Sequence, residues 1–450
     1  MQQATYQLQR LSFAILGMTL SCALLTLPIE GFAQSTGSVE PPPRPAAGVG
    51  VRVGDIAKNR GLRSGSFLLR PSIQIDGHYD SNVFNGNDDE SGNLPQAGTS
   101  LRLSPQIALD NGTDSEIQFR LNALGDIRLY LSDQANLKSL NAFGGSADLN
   151  VDFAARRAIS FSVFNNFSRS LRPNNWQTTA TLNRISNQIG GRVAFHPGDV
   201  PERRPLEINL QAAYSVDRFE DFQFGDSDMI RTRLNGSWRF LPRTAAIVDV
   251  RWDFRSFLDG SNPFTTNSSP WRVQTGLAGA LTNRVTFRLT GGWGDSSHDS
   301  GSSFDSAIGQ VSLGYAPSAT TFLSVGYSRD FQQAYYGNFI DANKGTVTLQ
   351  QQLGSLMTLH AWFAFTYGIY GEFRDIPANT KVTQANRKDY ILDGGLRGQI
   401  EFTRLVGMTV GYTVRGVLTN FRIESTQSDK VLDVGAYVAH EIFAGLALRY

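Results

Sequence analysis

The sequence predicts an all-β protein, a transmembrane antiparallel up-and-down β-barrel of about eighteen strands. Three observations predict it. From about residue 66 onward, runs that alternate apolar with polar side chains recur between short clusters of turn formers, the period-2 signature of strands. The polar side of these runs carries arginine and aspartate that a dry core could not hold unpaired. No apolar run long enough for a spanning helix follows the N-terminal stretch, and the mean hydropathy is only −0.23, as expected when lumen and loops are polar.

The first element, residues 1–33, reads as a secretory signal. Arg10 supplies the positive end, Leu11 to Leu27 the apolar stretch, and Gly31-Phe32-Ala33 a small-residue cleavage site. The chain is therefore expected to leave the cytoplasm by Sec-type export, with the signal removed. Its only cysteine, Cys22, lies inside this stretch, with Thr19 where a lipoprotein signal usually has leucine. The processed chain would then carry no thiol, which excludes disulfides and cysteine metal sites. Residues 34–65 hold Pro41-Pro42-Pro43-Arg44-Pro45 and a Gly- and Arg-rich stretch without alternation. They read as a solvated periplasmic tail, with a lumen plug as the alternative.

Residues 66–450 form the barrel in this reading. Strands are expected near 66–80, 99–109, 115–131, 141–154, 158–170, 182–195, 206–218, 229–241, 245–257, 270–281, 284–294, 303–315, 320–331, 343–353, 356–370, 388–402, 405–420 and 430–440. In 206–217 one face holds Leu206, Ile208, Leu210, Tyr214 and Val216, and the other Glu207, Asn209, Gln211, Ser215 and Asp217. In 246–255, Val248, Val250, Trp252 and Phe254 oppose Asp249, Arg251, Asp253 and Arg255. An outer face in lipid and an inner face in water require this two-sidedness.

The connections alternate in length. Leu241-Pro242-Arg243-Thr244, Leu281-Thr282-Asn283-Arg284, Ala316-Pro317-Ser318-Ala319 and Leu353-Gly354-Ser355-Leu356 are short, whereas 81–98, 172–181, 259–269 and 371–386 are long. Short turns are expected in the periplasm and long loops outside the cell. Trp252, Trp271, Trp293 and Tyr327 fall near strand ends beside the long loops, where a girdle sits at the membrane interface. Gly445, Leu448 and Tyr450 resemble the terminal signal that the barrel assembly machinery reads. If His440 to Phe443 is a turn, 444–450 begins a nineteenth strand. Either 430–450 is instead one long final strand, or the chain continues past Tyr450.

A family resemblance enters at the first strand. Gly61-Leu62-Arg63-Ser64-Gly65-Ser66-Phe67-Leu68-Leu69-Arg70-Pro71, followed by Tyr79-Asp80-Ser81-Asn82-Val83-Phe84, resembles the opening of the β-barrel porin 2 family of Gram-negative envelopes. The resemblance implies an outer-membrane barrel, and through its relatives it allows a link to exopolysaccharide export. It brings no defined active or binding residues.

A barrel this wide is not filled by its own side chains and leaves an aqueous channel unless plugged. Lumen-lining candidates are Arg231, Arg233, Arg239, Asp249, Arg251, Asp253, Arg255 and Arg288. Inward arginines outnumber inward carboxylates, which implies a mixed-charge pore with a mild anion preference, or else mutual cross-strand pairing of a mainly structural kind. The five histidines show no metal-ligand spacing, and neither a nucleophile elbow nor a P-loop occurs, so neither an enzyme nor a cofactor is expected. Asp88-Asp89-Glu90 reads as a solvated acidic loop, with a divalent cation as the alternative. A net charge of +1 points to no nucleic acid. The expected role is a passive porin-like channel in a Gram-negative outer membrane, in contact with lipid, lipopolysaccharide and the assembly machinery and passing small solutes. The alternatives are the exit barrel of an exopolysaccharide system and a structural or adhesion barrel.

Overall fold

The computed structural model describes residues 61–86, 94–112, 115–171, 183–198, 204–220, 225–259, 266–335, 337–371, 380–382, 387–425, 431–434 and 436–450. The signal segment, the tail as far as residue 60 and the acidic triplet 88–90 lie outside them. In chain order the strands are β1 Leu62–Ser64, β2 Phe67–Asp80, β3 Gly98–Asp110, β4 Ile117–Tyr130, β5 Ala142–Phe153, β6 Ile159–Ser170, β7 Arg184–Phe195, β8 Leu206–Phe219, β9 Ser227–Leu241, β10 Thr244–Phe257 and β11 Trp271–Ala280. They continue as β12 Val285–Asp295, β13 Asp305–Ser318, β14 Thr321–Gln333, β15 Phe339–Leu353, β16 Met357–Tyr370, β17 Thr380–Val382, β18 Lys388–Glu401, β19 Val406–Thr419, β20 Arg422–Ser425, β21 Val431–Val434 and β22 Tyr437–Arg449. One short helix, α1 Ala135–Lys138, lies between β4 and β5.

Each of β2 to β16, then β18, β19 and β22, pairs antiparallel with the next, and β22 pairs with β2. The result is a closed up-and-down barrel of 18 strands without a free edge in the wall. The strand count is even, so the nineteenth strand is overturned: β22 runs unbroken through His440–Phe443 and carries Val438 to Leu448 on the outer face. The stretch expected to begin the last strand, Val431–Val434, instead pairs with β20, which pairs with β17 to make a three-stranded sheet from two long connections. Leu62–Ser64, read as the end of the tail, hairpins onto Phe67–Leu69 of β2.

The two faces behave as the alternation requires. Leu210, Tyr214, Ile230, Leu234, Trp252 and Phe254 point away from the lumen with 40–55% of their surface exposed, an apolar band that only lipid or another apolar surface covers at low cost. The neighbouring Gln211, Arg231, Arg233, Asp253 and Arg255 share the inner face. β9 and β10 are joined by Pro242–Arg243 and β13 and β14 by Ala319–Thr320, whereas the opposite rim carries most of the long connections, 196–205 between β7 and β8 being the exception. Packed apolar clusters form only at that long-connection rim among the described residues: Val83, Tyr130 and Leu137 of α1; Phe304, Ile308 and Phe331; Ala334, Ile340, Ala342 and Tyr370; and Ile391, Val417, Tyr437 and Ala439.

Candidate functional site: a charged lumen wall under an inward hairpin

Register places the charged residues of β9 and β10 in a ladder. Descending from the long-connection rim, the rungs are Met229 with Arg255, Arg231 with Asp253, Arg233 with Arg251, and Asn235 with Asp249. Asp249 is gripped from both sides, by Arg233 Nε at 2.8 Å and Arg251 Nη2 at 2.6 Å. Arg231 Nε donates to the Met229 sulfur at 3.0 Å, and Arg255 Nη2 reaches it at 3.8 Å. Neither Arg231 nor Arg255 forms an ion pair with a described carboxylate. A thioether is a weak acceptor, so the charge of these guanidiniums is balanced only in part, by Asp253 and Asp217, which face them without bonding them. The upper rungs are therefore the part of this wall best able to hold an anion.

Of the lumen candidates, the structure brings together Arg231, Arg233, Asp249, Arg251, Asp253 and Arg255. Arg239 and Arg288 stand apart, near the short-turn end, in a lateral row separated by Ala245 and Ala278. The small alanines keep this row open. Many other inward charges pair across strands: Arg102 with Asp126, which Arg128 also approaches along its own strand, Arg184 with Asp217, Arg192 with Asp152, and Arg415 with Asp393. Much of the arginine excess read from sequence is thus spent in the cross-strand pairing that stabilises a ladder.

The alternation does not reveal the β14–β15 hairpin. Pairing of β14 with β13 stops at Arg329, opposite Gly309, while its pairing with β15 continues to Gln333, opposite Phe339. The tip therefore leaves the wall and folds inward over β13, β12 and β11. Arg272 of β11 donates from Nε to Asp330 at 2.8 Å and from Nη2 to the Phe331 carbonyl at 2.6 Å, and its guanidinium lies 3.6 Å from the centre of the Phe331 ring. Gly294 of β12 makes room, since a Cβ there would meet the Phe331 ring at 2.8 Å. Tyr335 reaches Phe219 of β8, with ring centres 5.5 Å apart and nearly perpendicular. β8 and β14 are separated by five strands of the wall, so the tip spans a large part of the mouth.

The neighbouring connections clamp the tip. Asn338, almost wholly buried, donates from Nδ2 to the carbonyls of Ser300 at 2.9 Å and Ser302 at 2.8 Å in the β12–β13 connection. His298 lies in the same connection, with Nδ1 3.0 Å from the Ser296 hydroxyl. Burial pushes its imidazole down to about 4; a hydrogen bond to the Asn338 backbone opposes the shift, Arg255 adds to it, and Asp295 and Asp299 oppose it.

A second charged cluster lines the closing seam. His78 Nδ1 and Glu441 Oε1 are 2.6 Å apart, and the His78 ring stacks on Phe443 at 5.3 Å. Gly445, from the proposed assembly signal, faces Asp76 across this seam: a Cβ would fall 1.8 Å from Asp76 Oδ1 and 2.6 Å from the Ile75 carbonyl. Leu448 and Tyr450 lie exposed on the outer face. No group of three His, Cys, Asp or Glu among the described residues is placed to hold a metal ion.

Sequence reasoning missed Tyr335, Asn338, Met229 and Phe219 as parts of the site. The one available signal is the loss of alternation at Asp330-Phe331-Gln332-Gln333, which reads as a frayed strand end rather than as an inward turn.

The chain matches no family model and no curated protein. Among solved structures it is similar to Pseudomonas aeruginosa OpdQ, at 13% identity and a TM-score of 0.45, covering 85% of this chain and 99% of that one. It is similar to Pseudomonas aeruginosa OccK1 (OpdK), at 12% identity and a TM-score of 0.46, covering 85% and 99%. It is also similar to the siderophore receptor PirA of Pseudomonas aeruginosa, at 10% identity and a TM-score of 0.42, covering 87% and 81%.

Proposed function

We propose that this chain is a passive aqueous channel of a Gram-negative outer membrane, with solute choice made at the β9–β10 ladder beneath the β14–β15 hairpin. The observation that carries the reading is the closed 18-stranded wall with an apolar outer face and a charged inner one. A ring of that size leaves room for water, and its inner charges have no use in a dry interior. The partly compensated arginines Arg231 and Arg255 give a mild preference for anions. Removal of residues 1–33 on export belongs to the same reading and is supported by their signal-like composition. An exopolysaccharide exit and an adhesion barrel gain no residue-level support from the lumen.

Ion conductance of the purified full chain in planar bilayers tests this reading. Steps of constant size with a reversal potential on the anion side of zero are expected in a salt gradient. Folded barrels that insert without conducting, or that strongly prefer cations, would overturn it.

A further inference from the structure

We propose that the β14–β15 hairpin is an acid-released strap: protonation of His298 loosens the 296–304 connection, frees the Asn338 anchor, and lets the tip leave the mouth so that the channel widens. This rests on the channel reading above and adds regulation to it.

The geometry supplies the parts. The tip is free of β13 beyond Arg329, so the sheet does not hold it in place. It is fixed instead by contacts outside the ladder: Asp330 to Arg272, Phe331 against Phe304 and Ile308, Tyr335 to Phe219, and, as its anchor on the 296–304 connection, Asn338 to the carbonyls of Ser300 and Ser302. The last of these depends on the fold of the 296–304 connection. That connection is bridged to the β10–β11 connection by Ser268 opposite His298 and by the Ser269 amide donating to the Ser297 carbonyl at 2.9 Å. His298 lies at the junction of all three connections.

The charged groups that face His298 are Arg255 of β10, Asp295 at the end of β12, and Asp299 in its own connection; the hairpin presents the Asn338 backbone. The site favours the neutral ring, since desolvation and Arg255 outweigh the two aspartates. In the strapped arrangement the ring titrates near 4, against an ordinary value of 6.5 once released to water. The sign follows by linkage. Above 6.5 the ring is neutral in both arrangements and protons do not bias them; below it only the released arrangement takes up a proton readily. Protons therefore favour release by about 30-fold at pH 5, which is enough to invert an equilibrium that holds the strap by about tenfold or less.

The test is single-channel recording of the full chain, with heat-modifiable gel migration confirming that every variant is folded. Acidifying the long-connection side from pH 7.5 to 5 should raise the conductance of the native chain. His298→Gln should remove the response, and His298→Lys should give the wide state already at pH 7.5. A native chain unresponsive to pH, a His298→Gln variant that responds like the native chain, or a His298→Lys variant with native conductance at pH 7.5 would each overturn the strap. A further variant with the tip between Gln333 and Phe339 replaced by two glycines separates the two readings. If it conducts while the histidine arms fail, only the strap is lost; if it is folded and silent, the channel reading falls with it.

Discussion

Asp330 accepts a hydrogen bond from Arg272 at 2.8 Å although they belong to β14 and β11, with β12 and β13 between them in the wall. Such a contact is open only to a strand end that has left the cylinder. Arg272→Ala or Asp330→Ala should therefore widen the mouth rather than merely weaken the barrel. The pair is mostly buried, and removing either partner is expected to cost about 1–3 kcal/mol. A larger or noisier unitary conductance with unchanged heat-modifiable migration is the expected result.

Asp249→Asn should strengthen anion selectivity. The carboxylate is shared by Arg233 and Arg251, and its loss leaves two guanidinium groups facing the lumen. One charge at a hydrated wall is worth roughly 1 kcal/mol, so the anion-to-cation permeability ratio should rise by about two- to fivefold. Reversal potentials in a KCl gradient check this.

Stability of the 296–304 connection should fall with acid. The His298 ring, held neutral, contributes its full stabilisation above pH 6.5 and loses it as the pH drops toward about 4. Amide exchange within 296–304, corrected for the intrinsic pH dependence, should lose protection across that window while the strand amides of β12 keep theirs.

Gly445→Val should impair barrel closure. Its Cβ would collide with Asp76 and with the Ile75 carbonyl on the partner strand of the seam, and the backbone cannot yield without opening the β2–β22 ladder. A lower temperature for loss of the folded gel band is expected.

Arg387→Ala should have a still larger effect. Arg387 and Asp389 are wholly buried, 2.8 Å apart, with the guanidinium between the rings of Tyr370 at 4.5 Å and Phe421 at 4.7 Å. Removing the cation leaves Asp389 buried and unpaired, a loss of about 3–5 kcal/mol. Thermal unfolding followed by circular dichroism measures it.

The wall was legible because lipid and water impose opposite demands on successive residues, and strands such as β8 and β10 record both. Seventeen of the eighteen wall strands were placed close to their true bounds. The last was misplaced because Val431–Val434 has strand-like composition yet pairs above the rim, and alternation does not state which partner a strand takes. The ladder residues were legible one by one, but their grouping depends on register between β9 and β10. The inward turn of the β14–β15 tip was not legible, although both of its strands were. Arg329 and Phe331 share a parity, yet Arg329 pairs with Asp341 while Phe331 turns toward Arg272, a difference set by where the pairing of β14 with β13 stops.

The narrowing described above sits at one mouth, while the far mouth is ringed by turns as brief as Pro242–Arg243. Electrical resistance along the bore is then lopsided, and an applied voltage falls more steeply at the strapped end. Ions driven inward and outward meet that drop at opposite stages of their passage, so current should rectify, and the sense of the bend would report which way round an inserted molecule lies.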